Sequence, residues 1–236
     1  SSFLRSSHAH QRVEVLLHLR ANAPALVLLH LKPKAPQPVR MDPRHPRQVE
    51  RPAPQRHHAL PARHLARQII EQGNCISPGA YAKVPSRGNL TIGSAVFPYL
   101  EKPARDQLVG SLDAHKGTHM TVNSMLRTVA QQYLLYSWYQ QGRCGIGLAA
   151  KPGNSNHETG LAMDINPAST WRGSLENHGF KWFGSADPVH FDFVGSGAVS
   201  HKGLDVKAFQ QLWNHNHPGD KIAVDGDWGP QTEARM

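Results

Sequence analysis

Two short runs of alternating apolar and polar residues constrain this fold more than any other feature. They are Leu161-Ala162-Met163-Asp164-Ile165 and Val189-His190-Phe191-Asp192-Phe193. Successive side chains on a strand point to opposite faces. Leu161, Met163 and Ile165 therefore face one way, and Ala162 and Asp164 the other. Val189, Phe191 and Phe193 share a face in the second run, with His190 and Asp192 opposite. Two such strands side by side would bury one face and bring Asp164 and His190 together on the other. Gly160, just ahead of the first run, suits a close approach of backbone.

The residues leading into the first strand carry chemistry. The chain reads Ser155-Asn156-His157-Glu158-Thr159-Gly160-Leu161-Ala162-Met163-Asp164, and His190 follows 26 residues after Asp164. Two imidazoles and one carboxylate suit a zinc ion. Three protein donors leave one position for water, which separates a catalytic zinc site from a closed structural one. Zinc lowers the pKa of bound water to about 7 and polarises a carbonyl. Asp187 lies three residues before His190, and from the residues alone Asp187-Pro188 reads as a turn opener. Asp192 is the other acid nearby, and it suits a supporting or surface role.

These residues resemble the zinc D-Ala-D-Ala carboxypeptidase family, whose fold is shared with lysostaphin-type peptidases and the hedgehog signalling domain. The shared pattern is Ser-x-His-x-x-Gly-x-Ala-x-Asp, then an acid three places before a final His. Every fixed position of the first motif is matched from Ser155 to Asp164. The resemblance covers about residues 75–195. It implies His157, Asp164 and His190 as zinc ligands and Asp187 as general base. It also implies that Arg127, in Val122-Asn123-Ser124-Met125-Leu126-Arg127-Thr128, binds substrate and steadies a developing oxyanion. Ser155 would lie near the metal in a substrate-binding position. From the residues alone, Arg127 could be a helix-start charge and Ser155 a turn cap. One departure bears on the reaction. The carboxypeptidases carry Glu at the position of Asp187, whereas Asp is found in related L-alanyl-D-glutamate endopeptidases.

Charge divides the chain. Residues 1–70 hold 12 Lys/Arg against three acids, with nine prolines and eight histidines, whereas residues 71–236 hold 14 of each charge. The basic segment 1–70 lacks helical or strand periodicity, and runs such as Lys32-Pro33-Lys34-Ala35-Pro36 read as disordered chain. A basic tail can bind nucleic acid or anionic wall polymers. The same Arg, Pro, Ala, His and Leu bias also arises when a GC-rich gene is translated outside its true frame. No apolar run is long enough for a membrane span. Glu14, His18 and Arg20 interrupt the one candidate signal region. Cys75 and Cys144 are expected to form one disulfide, fastening a loop-rich opening segment to the core.

The expected fold is α+β, a small, mostly antiparallel sheet with helices on one side. The expected domains are 1–70, disordered; 71–195, catalytic; and 204–236, a partial helical module. Residues 71–115 are expected to wrap the core as loops. Thr128–Gln141 reads as a helix stopped at Gly142, and Gly179 as the C′ residue of another. After a linker, Val206, Phe209, Leu212 and Trp213 fall at helical spacing. Asp225-Gly226-Asp227-Trp228-Gly229-Pro230-Gln231-Thr232 then resembles the turn of the peptidoglycan-binding helical module, with Pro230 in a first helical turn.

The leading expectation is a secreted or periplasmic, monomeric zinc peptidase acting on peptidoglycan stem peptides, of D-Ala-D-Ala carboxypeptidase type. The alternatives are an L-Ala-D-Glu endopeptidase and a non-catalytic zinc-containing wall-binding protein. A nucleic-acid role would rest on residues 1–70 alone and is not expected.

Overall fold

The computed structural model describes residues 60–236. Six α-helices lie among them: α1 (Leu60–Ile76), α2 (Lys102–Ala114), α3 (Val129–Gln140), α4 (Ala168–Asn177), α5 (Leu204–Asn216) and α6 (Pro230–Arg235). The strands are β1 (Ala82–Lys83), β2 (Leu90–Ile92), β3 (Tyr99–Leu100), β4 (Met120–Ser124), β5 (Ala162–Asn166), β6 (Phe180–Trp182) and β7 (His190–Phe193), with a 3-10 turn at Asn156–Thr159. The main sheet has five strands in the order β2-β4-β5-β7-β6, and β1 pairs with β3 apart from it. Only the β2–β4 pair in the main sheet is parallel. The α+β class holds, and the sheet is larger than expected.

The sheet's two faces follow the alternation. Met120, Val122, Met163, Ile165, Phe180, Phe191 and Phe193 form a core with Ala104, Leu108 and Leu112 of α2 and Trp171 and Leu175 of α4. The other face carries Asp164 directly across from His190, and Ala162 across from Asp192. A bulge in β4 between Val122 and Ser124 shifts the register, so that Ser124 pairs with Asp164. An extra residue in a strand re-aims the side chains beyond it. Here it carries the Ser124 hydroxyl to the polar face, within 3.3 Å of His157 Nδ1.

Two helices correct the sequence reading. α1 crosses the boundary expected after residue 70. It buries Ala66, Ile69 and Ile70, and Ile69 packs with Val206, Ala208 and Phe209 of α5. The remainder of the basic segment, residues 1–59, lies outside the described residues. α2 falls in the region expected to be loops. It has Pro103 in its first turn and buries Ala104, Leu108, Ser111 and Leu112. Those positions form one stripe at helical spacing, interrupted by a serine, in a stretch whose Gly and Pro residues read as loop.

The expected disulfide is also corrected. Cys75 and Cys144 are both exposed free thiols. Cys75 lies in the last turn of α1, on a helix already anchored by its apolar stripe. Cys144 lies in the turn after α3, with φ 57°. The opening segment is held by packing, and the disulfide argument for an oxidising compartment falls away.

The expected helix ends are present. Gly142 and Gly179 take positive φ values of 59° and 80° just past α3 and α4. In the C-terminal module, buried Gln210 donates to Asp225 Oδ1, the Asp227 carbonyl and Thr232 Oγ1, and accepts from Gly226 N–H. One side chain thus fixes the loop that delivers Pro230 to α6. No helix among the described residues is long and apolar enough to cross a membrane.

Candidate metal centre

The 3-10 turn that holds His157 is shaped by its own sequence. Ser155 Oγ accepts the His157 N–H at 3.3 Å, and Glu158 Oε2 accepts the Ser155 N–H at 2.9 Å. This reciprocal Ser-x-x-Glu arrangement is a capping box. Glu158 Oε1 also accepts the Gly153 N–H at 2.8 Å, tying down the preceding turn. Gly160 closes the 3-10 turn at φ 79°, and a Cβ there would meet Glu101 N at 3.1 Å. That contact is close because Glu101 N–H donates to the Gly160 carbonyl at 2.8 Å. The close backbone approach expected at Gly160 is present, and its partner is the start of α2.

His157, Asp164 and His190 come together as the sequence predicted. One donor atom from each lies within 4.8 Å of the others, the single such group among the described residues. Their side chains are 6, 13 and 10 % exposed. His157 Nδ1 lies 2.9 Å from the Met125 carbonyl. A carbonyl can only accept, so this nitrogen carries the proton and Nε2 keeps its lone pair. That Nε2 is 3.4 Å from Asp164 Oδ1. His190 is turned the other way, with Nε2 3.1 Å from Asp192 Oδ1 and Nδ1 2.9 Å from Asp164 Oδ1. Both His190 nitrogens face carboxylate oxygens, which only accept, so the metal-free ring carries two protons. Loss of the Nδ1 proton would leave two neutral imidazoles and a carboxylate converging, which is the donor set of an open site for a borderline divalent cation.

Electrostatics fit this arrangement. Burial alone would raise the Asp164 carboxyl, but His157, His190 and Arg127 overcome it and hold the group well below the usual range. Burial lowers His157, with Asp164 opposing and Arg127 adding to the fall. Burial would lower His190 too, yet its bonds to Asp164 and Asp192 raise it to about 9. A cation entering here would displace that proton, so metal uptake would be coupled to proton release.

The remaining predicted residues lie on the segments that present this group. Arg127 donates to Gln132 Oε1 at 2.9 Å and Ser124 Oγ at 3.2 Å, and its backbone N–H bonds the His157 carbonyl. Burial lowers its pKa, while Asp164, Glu158 and Asp187 favour its charged form. Asp187 opens the turn into β7, its carbonyl accepting the His190 N–H at 3.1 Å. The Ser155 hydroxyl is engaged in the turn.

Three contributors escaped the sequence reading. The Met125 carbonyl and Ser124 hydroxyl behind His157 depend on the β4 bulge, which no side-chain pattern announces. Phe183 stands edge-on to the His190 ring at 5.4 Å between centroids and is 56 % exposed, giving the site an apolar margin. Beneath the site, burial raises Glu158 to about 7, and burial and the neighbouring Glu158 raise Asp205 of α5. Asp205 Oδ2 is buried with no donor. Burial thus favours the protonated form of each carboxyl.

Residues 100–196 match the family model described as VanY: D-alanyl-D-alanine carboxypeptidase. No curated protein matches the chain. Two solved structures are similar at a TM-score of 0.35. The LdcB LD-carboxypeptidase, whose structure is described as revealing the molecular basis of peptidoglycan recognition, is 23% identical; the match covers 53% of this chain and 72% of that one. VanYB in complex with D-Alanine-D-Alanine is 20% identical, with 61% and 93% covered. The matched residues 100–196 hold Arg127, His157, Asp164, Asp187 and His190, and are similar to the D-alanyl-D-alanine carboxypeptidase family.

Proposed function

We propose that the protein is a zinc-dependent peptidase that hydrolyses peptide bonds in peptidoglycan stem peptides, of the D-Ala-D-Ala carboxypeptidase type. The observation that carries this reading is the pair of fixed imidazoles, each with one ring nitrogen turned towards Asp164 Oδ1. His157, Asp164 and His190 would hold the ion. Zinc, when bound, would supply Lewis acidity towards a carbonyl and a water of lowered pKa. Asp187 accepts the proton of the attacking water and returns it to the leaving amine. Arg127, held in place by Gln132 and Ser124, offers charge and N–H groups to the carbonyl oxygen as negative charge grows there. Ser155 serves by fixing the turn of His157. Action outside the cytoplasm follows from the substrate, and a monomer is the simplest state.

A second reading has one observation in its favour. Asp187 is a methylene shorter than the Glu of the carboxypeptidases, which draws the water towards its own turn and favours L-Ala-D-Glu endopeptidase action. Defined muropeptides incubated with zinc-loaded protein and read by mass spectrometry decide between them. Loss of a terminal alanine supports the first reading, and release of the whole stem after L-Ala supports the second. Intact muropeptides with zinc bound at one equivalent would leave a wall-binding protein without turnover.

A further inference from the structure

We propose that Asp192 is the positioning carboxylate of His190. It keeps a proton on Nε2, so that when a cation displaces the other proton the ring turns its Nδ1 lone pair to the metal beside Asp164, and Asn156 aims it. The proposal rests on the reading of the site as a zinc centre. His190 Nε2 lies 3.1 Å from Asp192 Oδ1, and Asn156 Nδ2 donates to the same oxygen at 2.9 Å. Asp192 stands two residues beyond His190 on β7 and so shares its face. It is paired in register with Ala162, whose small side chain leaves room for the carboxylate beside the ring.

The two histidines need this help differently. His157 is oriented by a backbone carbonyl, Met125, that any sequence would supply. His190 sits on a strand whose backbone polar groups serve the ladder to β5 and β6, so a side chain must orient the ring. Without Asp192 the imidazole can turn over and place its proton on Nδ1, facing Asp164, where it competes with the cation. Partners of this kind typically change metal affinity 10–100-fold. Asn156 connects the two motif segments. It belongs to the turn that presents His157, and its amide reaches the strand that presents His190. One carboxylate oxygen thereby ties the orientation of one ligand to the segment carrying the other.

The test is zinc competition against a chromophoric chelator, with histidine ring NMR on the zinc-loaded protein. We expect wild-type His190 to show a protonated, exchange-protected Nε2. Asp192→Ala should bind zinc at least tenfold more weakly at unchanged metal-free melting temperature. Asp192→Asn, which keeps an acceptor oxygen, should recover most of the loss, and Asn156→Ala should fall between wild type and Asp192→Ala. Wild-type affinity in Asp192→Ala, or a wild-type His190 carrying its proton on Nδ1, overturns the proposal. The wild-type NMR result stands even if Asp192→Ala fails to fold. Wild-type protein that binds no zinc would instead remove the functional reading itself.

Discussion

Asp205→Asn should make the protein more stable at neutral pH, and the gain should disappear in acid. Asp205 opens α5 and faces Glu158, the residue after His157, with both carboxyls buried. Glu158 rises to about 7 from 4.5, first because burial penalises its charge. Its folded pKa is thus above its unfolded one, so the neutral form is the one the fold prefers. Stability from this group is fully present below about pH 4.5 and is lost as pH rises towards 7, because the unfolded chain releases a proton that the fold must keep. One pKa unit is worth 1.36 kcal/mol, so the loss over this window is about 3 kcal/mol at most.

An asparagine removes the second carboxyl and offers Glu158 a permanent N–H donor. Its Oδ1 remains to accept from the Val206 N–H, as Asp205 Oδ1 does at 2.8 Å. At 2–4 °C per kcal/mol for a fold of this size, the variant should melt several degrees above wild type at pH 7.5. The gap should narrow to nothing near pH 4.5. Thermal melts of both proteins, with chelator present so that metal loss does not intrude, give the comparison. A variant that melts no higher than wild type at pH 7.5, with the same gap at every pH, would show that the two carboxyls share no proton.

The other expectations follow from the site and from α1. His157→Ala should leave the protein with much less than one equivalent of zinc by metal analysis after dialysis; full zinc content would remove His157 from the ligand set. Asp187→Ala should keep its zinc and lose about 10²–10⁴-fold in turnover of a muropeptide substrate. Loss of metal would make Asp187 a ligand or a structural residue, and full activity would move the base elsewhere. Removing residues 1–59 should leave the melting temperature nearly unchanged. Removing residues 1–70 discards fully buried Ile69 and Ile70, each worth about 1.5–3 kcal/mol, and should lower it by many degrees; equal melting of the two truncations would show that α1 contributes nothing.

The cluster of His157, Asp164 and His190 was legible because each of the three is announced by a local rule. Period-two alternation set the faces of β5 and β7, and pairing opposite Asp164 with His190 needed only that the strands be neighbours. The capping box at Ser155 and Glu158 and the glycine at 160 likewise depend on residues within a few positions of each other. What escaped depends on contacts distant in sequence. α1 sits in a stretch whose Arg, His and Pro content resembles that of residues 1–59, and its narrow apolar stripe finds partners far along the chain, in Phe97 and Leu126 and in Val206 and Phe209 of α5. The disulfide was inferred from compartment and composition, neither of which fixes where two thiols lie.

Glu158 shows how one local rule conceals a long-range one. Locally it completes a capping box with Ser155. Its burial, however, comes from α5, which sets Asp205 against it. The C-terminal module therefore does more than follow the peptidase segment in the chain. Through Asp205 it touches the residue next to His157, and through Val206 and Phe209 it packs with Val129 and Ala130 at the start of α3, just after Arg127. A module whose turn resembles that of the peptidoglycan-binding helical module is, in this fold, part of the support beneath the site.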